Sequence, residues 1–411
     1  MRVTTALSDP TYRRLFAAQA ISLAGTGLAT VALGLLAYDL AGGGAGLVLG
    51  TVFAIKMVAY VAVAPVAAAV VHAAPPRTVL VAADLVRVVV VLGLPWVSSV
   101  WQVYVLVLVM QAASAVHTPA YQAVLPRVLR DERRYTQALS FSRLAEDLEM
   151  VLAPLLAAGL VLLVPSRDLF LGTAAGFVVS ALLVSRLALS RAPVEEDEAP
   201  FGARVRRGVV LMVTTPGLRA VLALNLAVAA GGAYALVQYV VIAREVYERG
   251  DGTAAVLVAA LGAGSITVAV LLPRVLDAVP ERRLMLGGAG VLAVATAGVA
   301  PVLAVPGTPG LLLVGALFVA MGAGWAAAET PVGRIIARTT AERDQPAVFA
   351  AQFSLSHACW LLTYPLAGWL GGIGLSTAAL LLAVLCAAAV ATTGMLWPRR
   401  DPRPARIDMA R

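Results

Sequence analysis

Three carboxylates lie close together in the segment SFSRLAEDLEMVLAP (140–154), whose remaining residues are mostly apolar. They are Glu146, Asp147 and Glu149. At helical spacing Arg143 can pair with Asp147, and the two glutamates then share one face. Burial and repulsion between like charges raise the pKa of a carboxyl group, and a carboxyl group that titrates near neutral pH can carry a proton. The segment therefore predicts either a proton-coupling site, with Glu149 the deepest candidate, or an acidic, wet cavity.

A single lysine, Lys56, lies in the apolar stretch GTVFAIKMVAYVAVAPVAAAVV (50–71), whereas the other 30 basic residues of the chain are arginines. The pKa of a buried lysine shifts readily, and that of an arginine does not. We expect Lys56 to neutralise an acidic group of a substrate or a carboxylate such as Glu149.

The elements that must position these residues are apolar helices. The chain is 60% hydrophobic and only 13% charged, which is outside the range of soluble domains. Apolar runs long enough to cross a bilayer recur along the whole sequence without the alternation of a barrel strand. The pattern predicts an all-α membrane protein with twelve transmembrane helices, at about 15–38, 45–71, 79–98, 101–124, 137–164, 168–189, 217–243, 253–272, 284–304, 310–333, 347–370 and 374–397.

The distribution of basic residues predicts the orientation. With the N-terminus inside, 25 of the 31 lysines and arginines fall on the cytoplasmic side and three on the outer side. This asymmetry follows the positive-inside rule. We therefore expect a multi-pass protein of the cell membrane with both termini cytoplasmic. The net charge of +8 indicates contact with anionic lipid headgroups and requires no nucleic acid.

The sequence also contains an internal repeat. YRRLFAAQ (12–19) matches LRAVLALN (218–225), and three further segments match in order, at offsets between 205 and 212 residues. The predicted domains are an N-terminal six-helix bundle (1–189), a cytoplasmic linker (190–215), a C-terminal six-helix bundle (216–398) and a cytoplasmic tail (399–411).

Twelve helices in two parallel repeats joined by a basic linker resemble the major facilitator superfamily. Three stretches are similar to its siderophore and macrolide exporter group: YRRLFAAQAISLAGTGLATVALGLLAYDL, the loop after run 2 leading into VLVAADLVRV, and TPAYQAVLPRVL. The resemblance implies a transporter that works by alternating access, with two halves that rock around a central site. Together with the carboxylates of run 5, it favours a secondary active exporter of a small amphipathic molecule, with proton antiport as the expected coupling.

Two other functions stay open: a carrier for uptake or facilitated diffusion, and a membrane sensor or subunit that does not transport. An enzyme is not expected, because the sequence has neither a nucleotide-binding loop nor a nucleophile constellation.

The resemblance also predicts gating residues. The loop after run 2 has His72 where the family has aspartate and Ala73 where it has arginine, whereas the second half keeps the family pattern at Asp277, Arg282 and Arg283. A second predicted gate is formed by the repeat mates His117 and Glu329, each followed by Thr-Pro; the alternative is that they satisfy the backbone at a proline bend.

Further polar and aromatic residues are candidates for the substrate cavity. The amides of Gln19 and Asn225 are repeat mates that either bind substrate or bridge helices by hydrogen bonds. The remaining candidates could line a pocket for an aromatic or amphipathic molecule, or serve packing and the membrane interface: Tyr234, Gln238, Trp325, Trp360 and His357.

No metal site or cofactor is predicted, because three scattered histidines and two cysteines give no ligand spacing. The expected partners are a small-molecule substrate, protons and the bilayer, and the expected state is a monomer.

Overall fold

The computed structural model describes residues 6–73, 75–129, 131, 134–135, 137–138, 141–142, 145, 149, 153, 156–161, 163–187, 201–341 and 344–397. Arg143, Glu146 and Asp147 of run 5 lie outside these residues. His72 and Asp277 lie in helices, but their side chains are outside the described part of the structure.

Within the described residues every long element is a helix and no strand occurs. The first helices are α1 (Pro10–Ala41), α2 (Ala45–Ala73), α3 (Pro76–Gly93), α4 (Val100–Val128) and α5 (Leu169–Ser185). They are followed by α6 (Phe201–Thr214), α7 (Pro216–Val241), α8 (Asp251–Ala278), α9 (Glu281–Val302), α10 (Gly307–Glu329), α11 (Val332–Thr339), α12 (Gln345–Ile373) and α13 (Leu375–Leu396).

Most of the predicted runs are helices of membrane-spanning length. Nine stretches of the described chain are long and apolar enough to cross a membrane, and they overlap runs 1–4, 6–10 and 12, with run 2 included only as far as Ala59. Run 11 is α12, a helix of 29 residues, and run 5 lies mostly outside the described residues. The all-helical prediction is confirmed for the described chain, whereas the count of twelve and the two-fold repeat stay predictions.

The residues at the two ends of α1 explain where this helix begins and where it ends. Asp9 precedes Pro10, and its carboxylate accepts hydrogen bonds from the backbone N–H groups of Thr11 and Tyr12 at 2.8 and 2.9 Å. These are two of the donors that a helix start leaves without a partner. Gly42 ends α1 with a φ of 53°, a backbone conformation that glycine adopts without strain.

The chain divides into two compact units. Unit 1 comprises Met1–Glu195 and Val240–Ala259, and unit 2 comprises Glu196–Tyr239 and Ala260–Arg411. The first unit therefore takes in the last two residues of α7, the segment that follows it and the first part of α8. The domain boundaries predicted from the sequence stay a prediction.

In unit 1, α1 packs against α5 and α2, and α3 packs between α4 and α5. Gly25 and Gly176 allow the first of these contacts to be close, since a Cβ on Gly176 would lie 3.2 Å from the carbonyl oxygen of Ile21 and 3.5 Å from Gly25 Cα. Small residues at helix crossings are the usual means of close packing in membranes.

A buried polar network joins α3, α4 and α5. The carboxylate of Asp84, which is 0% exposed, forms an ion pair with Arg87. It also accepts a hydrogen bond from Ser180 Oγ at 2.8 Å and lies 3.8 Å from His117 Nε2. The Arg87 guanidinium stands 4.4 Å from the centre of the Phe177 ring. The network places His117 inside unit 1.

In unit 2, α9 packs against α10 and α13, and α6 packs against α12. A Cβ on Gly288 would lie 2.8 Å from the carbonyl oxygen of Gly324, so glycine is required on this side of the α9–α10 contact. The linker helix α6 is held to the start of α12 by an ion pair of 2.7 Å between Arg207 and Asp344.

We predict that Arg87→Met destabilises the protein by about 3–5 kcal/mol, because it leaves the Asp84 carboxylate buried without its cation. The measurement is the free energy of unfolding of the purified protein in detergent. In the double variant Asp84→Leu/Arg87→Met most of the loss should be recovered, since no buried charge remains.

The control is Arg77→Met on the same helix, because the Arg77 side chain is exposed. Equal losses in Arg87→Met and Arg77→Met would contradict the role of the buried pair.

Candidate functional site

The amides of the repeat mates Gln19 and Asn225 both bridge helices. Gln19 Oε1 in α1 accepts a hydrogen bond from Ser142 Oγ of run 5 at 3.0 Å. In unit 2, Asn225 of α7 and Gln352 of α12 exchange two hydrogen bonds, at 3.0 and 2.9 Å. Ser142 and Gln352 are 210 positions apart, close to the offset of the sequence repeat. Of the two roles left open by the sequence, the geometry supports helix bridging.

The candidates Tyr234 and Gln238 lie in the interior of unit 2, on the side of α7 that contacts α12 and α13. Gln238 is 1% exposed, and its amide N–H donates to the carbonyl oxygen of Ala367 at 2.7 Å. Gly371 leaves room for this amide. The hydroxyl of Tyr234 donates to the carbonyl oxygen of Leu375 at 3.2 Å. Both side chains therefore hold unit 2 together rather than lying on its surface.

Trp325 belongs to an aromatic cluster between α10 and α12. Its ring centre lies 5.0 Å from that of Trp360, and Trp360 lies 4.9 Å from Tyr364. The indole N–H of Trp325 donates to the carboxylate of Glu329, one turn further along α10. Gly232 of α7 backs the cluster, since a Cβ there would lie 2.5 Å from the Trp360 ring.

His357 continues this cluster along α12. The centres of its ring and of Phe353 are 4.0 Å apart, with the ring planes tilted by 32°. Its Nδ1 lies 2.7 Å from the carbonyl oxygen of Phe353 and 3.4 Å from Ser356 Oγ. The tautomer with the hydrogen on Nδ1 can donate to this carbonyl oxygen.

Glu149, the favoured proton-carrying residue, lies against α1. It is half-buried, and a Cβ on Gly27 would lie 2.8 Å from its Oε1. Glycine at position 27 therefore lets the carboxylate approach the backbone of α1. Lys56 is also half-buried, in α2.

The predicted gating residues are dispersed among the described elements. His117 belongs to the Asp84 network of unit 1, and Glu329 to the aromatic cluster of unit 2. Arg282 at the start of α9 lies 3.5 Å from the carbonyl oxygen of Gly394 in α13, whereas the side chain of Arg283 is exposed. The gating roles of these residues stay predictions.

Glu281 is the first residue of α9 and forms ion pairs that the sequence analysis did not predict. Its carboxylate binds Arg334 at 3.0 Å and Arg338 at 2.7 Å, both on the short helix α11. The sequence could have indicated Glu281 as a charged residue of interest, because it directly precedes Arg282 and Arg283 at a helix start. Pairing with α11 depends on tertiary structure and could not be inferred from spacing.

The sequence analysis also missed a cluster of charges in unit 1, which lies near the end of α1 and the start of α8. Arg244 lies 3.5 Å from Asp39 and 2.6 Å from Asp251, and Arg167 lies 3.9 Å from Asp39. The sequence analysis used these arginines only to set the orientation. The cluster ties the end of α1 to the segment between α7 and α8.

Within the described residues, no group of three metal-ligating side chains is close enough to hold an ion. The side chains assembled here offer carboxylates, amides and aromatic rings. Groups of these kinds can bind a solute without forming a covalent bond, and a carboxylate can also take up a proton.

We predict a coupling energy of about 0.6–1.7 kcal/mol between Asn225 and Gln352, the range for hydrogen bonds between membrane helices. It is measured by a double-mutant cycle with Asn225→Leu, Gln352→Leu and the double variant, using unfolding in detergent. The pair exchanges two bonds, so its coupling should exceed that of Gln19→Leu with Ser142→Ala. Additive effects of the two leucine substitutions would contradict the bridge.

Comparison with known proteins agrees with this architecture. The profile of the Major Facilitator Superfamily matches residues 15–333. No curated protein sequence matches the chain significantly.

Several solved structures share the fold. The nucleoside transporter NupG has a TM-score of 0.75 at 11% identity, with 94% of this chain and 100% of that chain covered. A bacterial homologue of the human lysosomal transporter Spinster has a TM-score of 0.72 at 13% identity, covering 94% and 96%. A D-xylose–proton symporter has a TM-score of 0.69 at 13% identity, covering 94% and 98%. At these identities the likeness concerns the fold alone, and together with the matching profile it identifies the chain as a multi-pass membrane protein that belongs to the major facilitator superfamily.

Proposed function

We propose that this protein is a secondary active transporter that exports a small amphipathic molecule in exchange for protons. Family and fold support transport of a small solute across a membrane. Export is proposed because of the sequence similarity to the siderophore and macrolide exporter group.

The observation that carries the proton part is the position of Glu149. A carboxylate within an apolar helix bundle costs several kcal/mol if it stays charged, so it tends to be protonated or to serve a function. Glu149 lies against the backbone of α1 at Gly27, where the local environment changes if the two helices separate even slightly. A carboxyl group in such a place can bind a proton in one state and release it in another.

Fold alone sets neither the direction of transport nor the coupling ion, so two other functions are considered. The structural neighbours include a proton symporter for D-xylose and a nucleoside transporter, so uptake is the second candidate. A protein that does not transport is the third.

We predict that purified protein in liposomes moves at least one compound of a panel of cationic dyes, macrolides and siderophores when a pH gradient is imposed. For antiport, the compound leaves the compartment that has the higher pH, opposite to the protons. Glu149→Gln should reduce this flux to that of empty liposomes, because an amide cannot bind and release a proton. Movement of compound and protons in the same direction would favour the uptake alternative.

The matched control is Glu248→Gln, since Glu248 is an exposed carboxylate after α7. Full proton-linked flux in Glu149→Gln would show that Glu149 is not the coupling residue. A folded protein that moves no compound would instead favour the non-transporting alternative.

We predict that Lys56→Ala loses transport, because the half-buried ammonium is proposed to neutralise an acid during the cycle. Lys56→Arg, which keeps the positive charge but replaces the compact ammonium with a larger, planar guanidinium, should transport at an intermediate rate. The measurement is the same liposome flux, with Arg77→Ala as an exposed control. Normal flux in both Lys56 variants would contradict the role.

A further inference from the structure

Gly27 of α1 lies where the side chain of Glu149 comes against this helix. A Cβ at position 27 would lie 2.8 Å from Glu149 Oε1, 3.4 Å from Glu149 Cγ and 2.0 Å from Ala153 Cβ. Each distance is shorter than the separation of about 3.5–4.0 Å at which non-bonded carbon atoms normally pack. The space that the missing side chain leaves on α1 is therefore taken up by Glu149 and Ala153, and we call this space the Gly27 notch.

The surroundings of the notch are apolar. Glu149 and Ala153 are four residues apart in a helix, so they share one face, and Ala153 is 1% exposed. On the other side of the contact, Gly27 and residues 28 and 29 of α1 are buried as well. Residues 15–37 contain no ionisable side chain. This part of α1 therefore supplies no charge that could stabilise the ionised form of the Glu149 carboxyl group.

The elements that pack against α1 differ in the charges they carry. Helix α5 has no ionisable residue between 169 and 185, whereas α2 and α4, which also contact α1, each have such residues. In runs 2, 4 and 5, the groups other than Glu149 that can be charged near neutral pH are Lys56, His117, Arg143, Glu146 and Asp147. A substitution at position 27 leaves all of these groups in place, so its effect on Glu149 reports on the notch.

We propose that Gly27 is a positioning residue for proton coupling, because the notch holds the Glu149 carboxyl group against α1 and thereby sets its affinity for a proton. Apolar surroundings disfavour the charged form of a carboxyl group, and protonation removes that cost. A side chain at position 27 pushes the carboxyl group out of the notch toward water, where it ionises more readily. The inference rests on the proposed exporter for its meaning in transport, since position 27 would then set the pH range in which the coupling proton is bound.

The variant that tests the notch exchanges a methyl group between two helices. Gly27→Ala alone would bring two Cβ atoms within 2.0 Å of each other, so the helices would have to separate. In Gly27→Ala/Ala153→Gly this overlap is absent and the packed volume is kept, which protein interiors tolerate best. The remaining conflict is with the Glu149 side chain, which is flexible and can turn away. The exchange variant therefore fills the notch without forcing the helices apart.

The test is the proton titration of Glu149 in the full-length protein, reconstituted in lipid and followed by infrared spectroscopy. A protonated carboxyl group has a carbonyl stretch that a carboxylate lacks, and the part of this band that Glu149→Gln removes belongs to Glu149. We expect the exchange variant to move the midpoint of the titration by at least about one unit to lower pH, which is a tenfold loss of proton affinity. A midpoint equal to that of the unaltered protein would overturn the inference.

Two variants control for a general loss of packing. Ala153→Gly keeps Gly27, so the notch stays open and the midpoint should not move. Gly25→Ala adds a methyl group on the opposite side of α1, 3.2 Å from the carbonyl oxygen of Thr173 in α5. It should lower the stability of the protein in detergent and leave the midpoint unchanged. A shift in either control as large as that of the exchange variant would show that packing in general, and not the notch, sets the proton affinity.

The outcomes distinguish this inference from the proposed function. A shifted midpoint in the exchange variant, in a protein without proton-linked flux, would support the notch and contradict the exporter. Proton-linked flux that is lost in Glu149→Gln, together with a midpoint that the exchange variant does not move, would support the exporter and contradict the notch. A carbonyl band that never depends on Glu149 at any pH would contradict both, because the residue would then bind no proton.

Discussion

A polar group within a bilayer must find its partner inside the protein, and this constraint shapes each part of the structure. It explains why the elements of the described chain are helices, because a helix forms the hydrogen bonds of its backbone N–H and C=O groups within itself. It also explains why polar side chains occur in sets rather than singly. Asp84 has Arg87 and Ser180, Asn225 has Gln352, and Gln238 has the carbonyl oxygen of Ala367.

These polar contacts and the close packing of helix backbones together hold the helices against one another. Water does not drive membrane helices together, so packing and hydrogen bonds supply most of the attraction. Glycines at crossings such as Gly25 with Gly176 and Gly288 with Gly324 bring backbones near each other, and the amide bridges then fix which faces meet. The bridges at Gln19 and Asn225 occupy corresponding places in the two sequence repeats. Each half of the predicted repeat therefore has an amide that bridges two helices.

The sequence was sufficient to predict what depends on one segment at a time. The length of the apolar runs located most of the helices, because a membrane-spanning helix needs about 20 apolar residues in succession. Contacts between distant segments were not predictable. Gln19 and Asn225 were recognised as mates, but their partners lie 123 and 127 residues away. The ion pairs of Glu281 and Asp39 escaped notice because they join loops and helix ends, where neither periodicity nor the repeat indicates a partner.

The same constraint bears on the proposed proton site. Glu149 is a half-buried carboxylate in a helical run, and a Cβ on Gly27 of α1 would lie 2.8 Å from its Oε1. A carboxylate in hydrocarbon is costly while it is charged, and protonation removes that cost. A carboxyl group at a contact between two helices is more deeply buried when the helices are close than when they separate, and deeper burial raises its affinity for a proton. The proposed coupling therefore needs only a small change in how two helices pack, because the change in burial is enough to make the group bind a proton in one state and release it in the other.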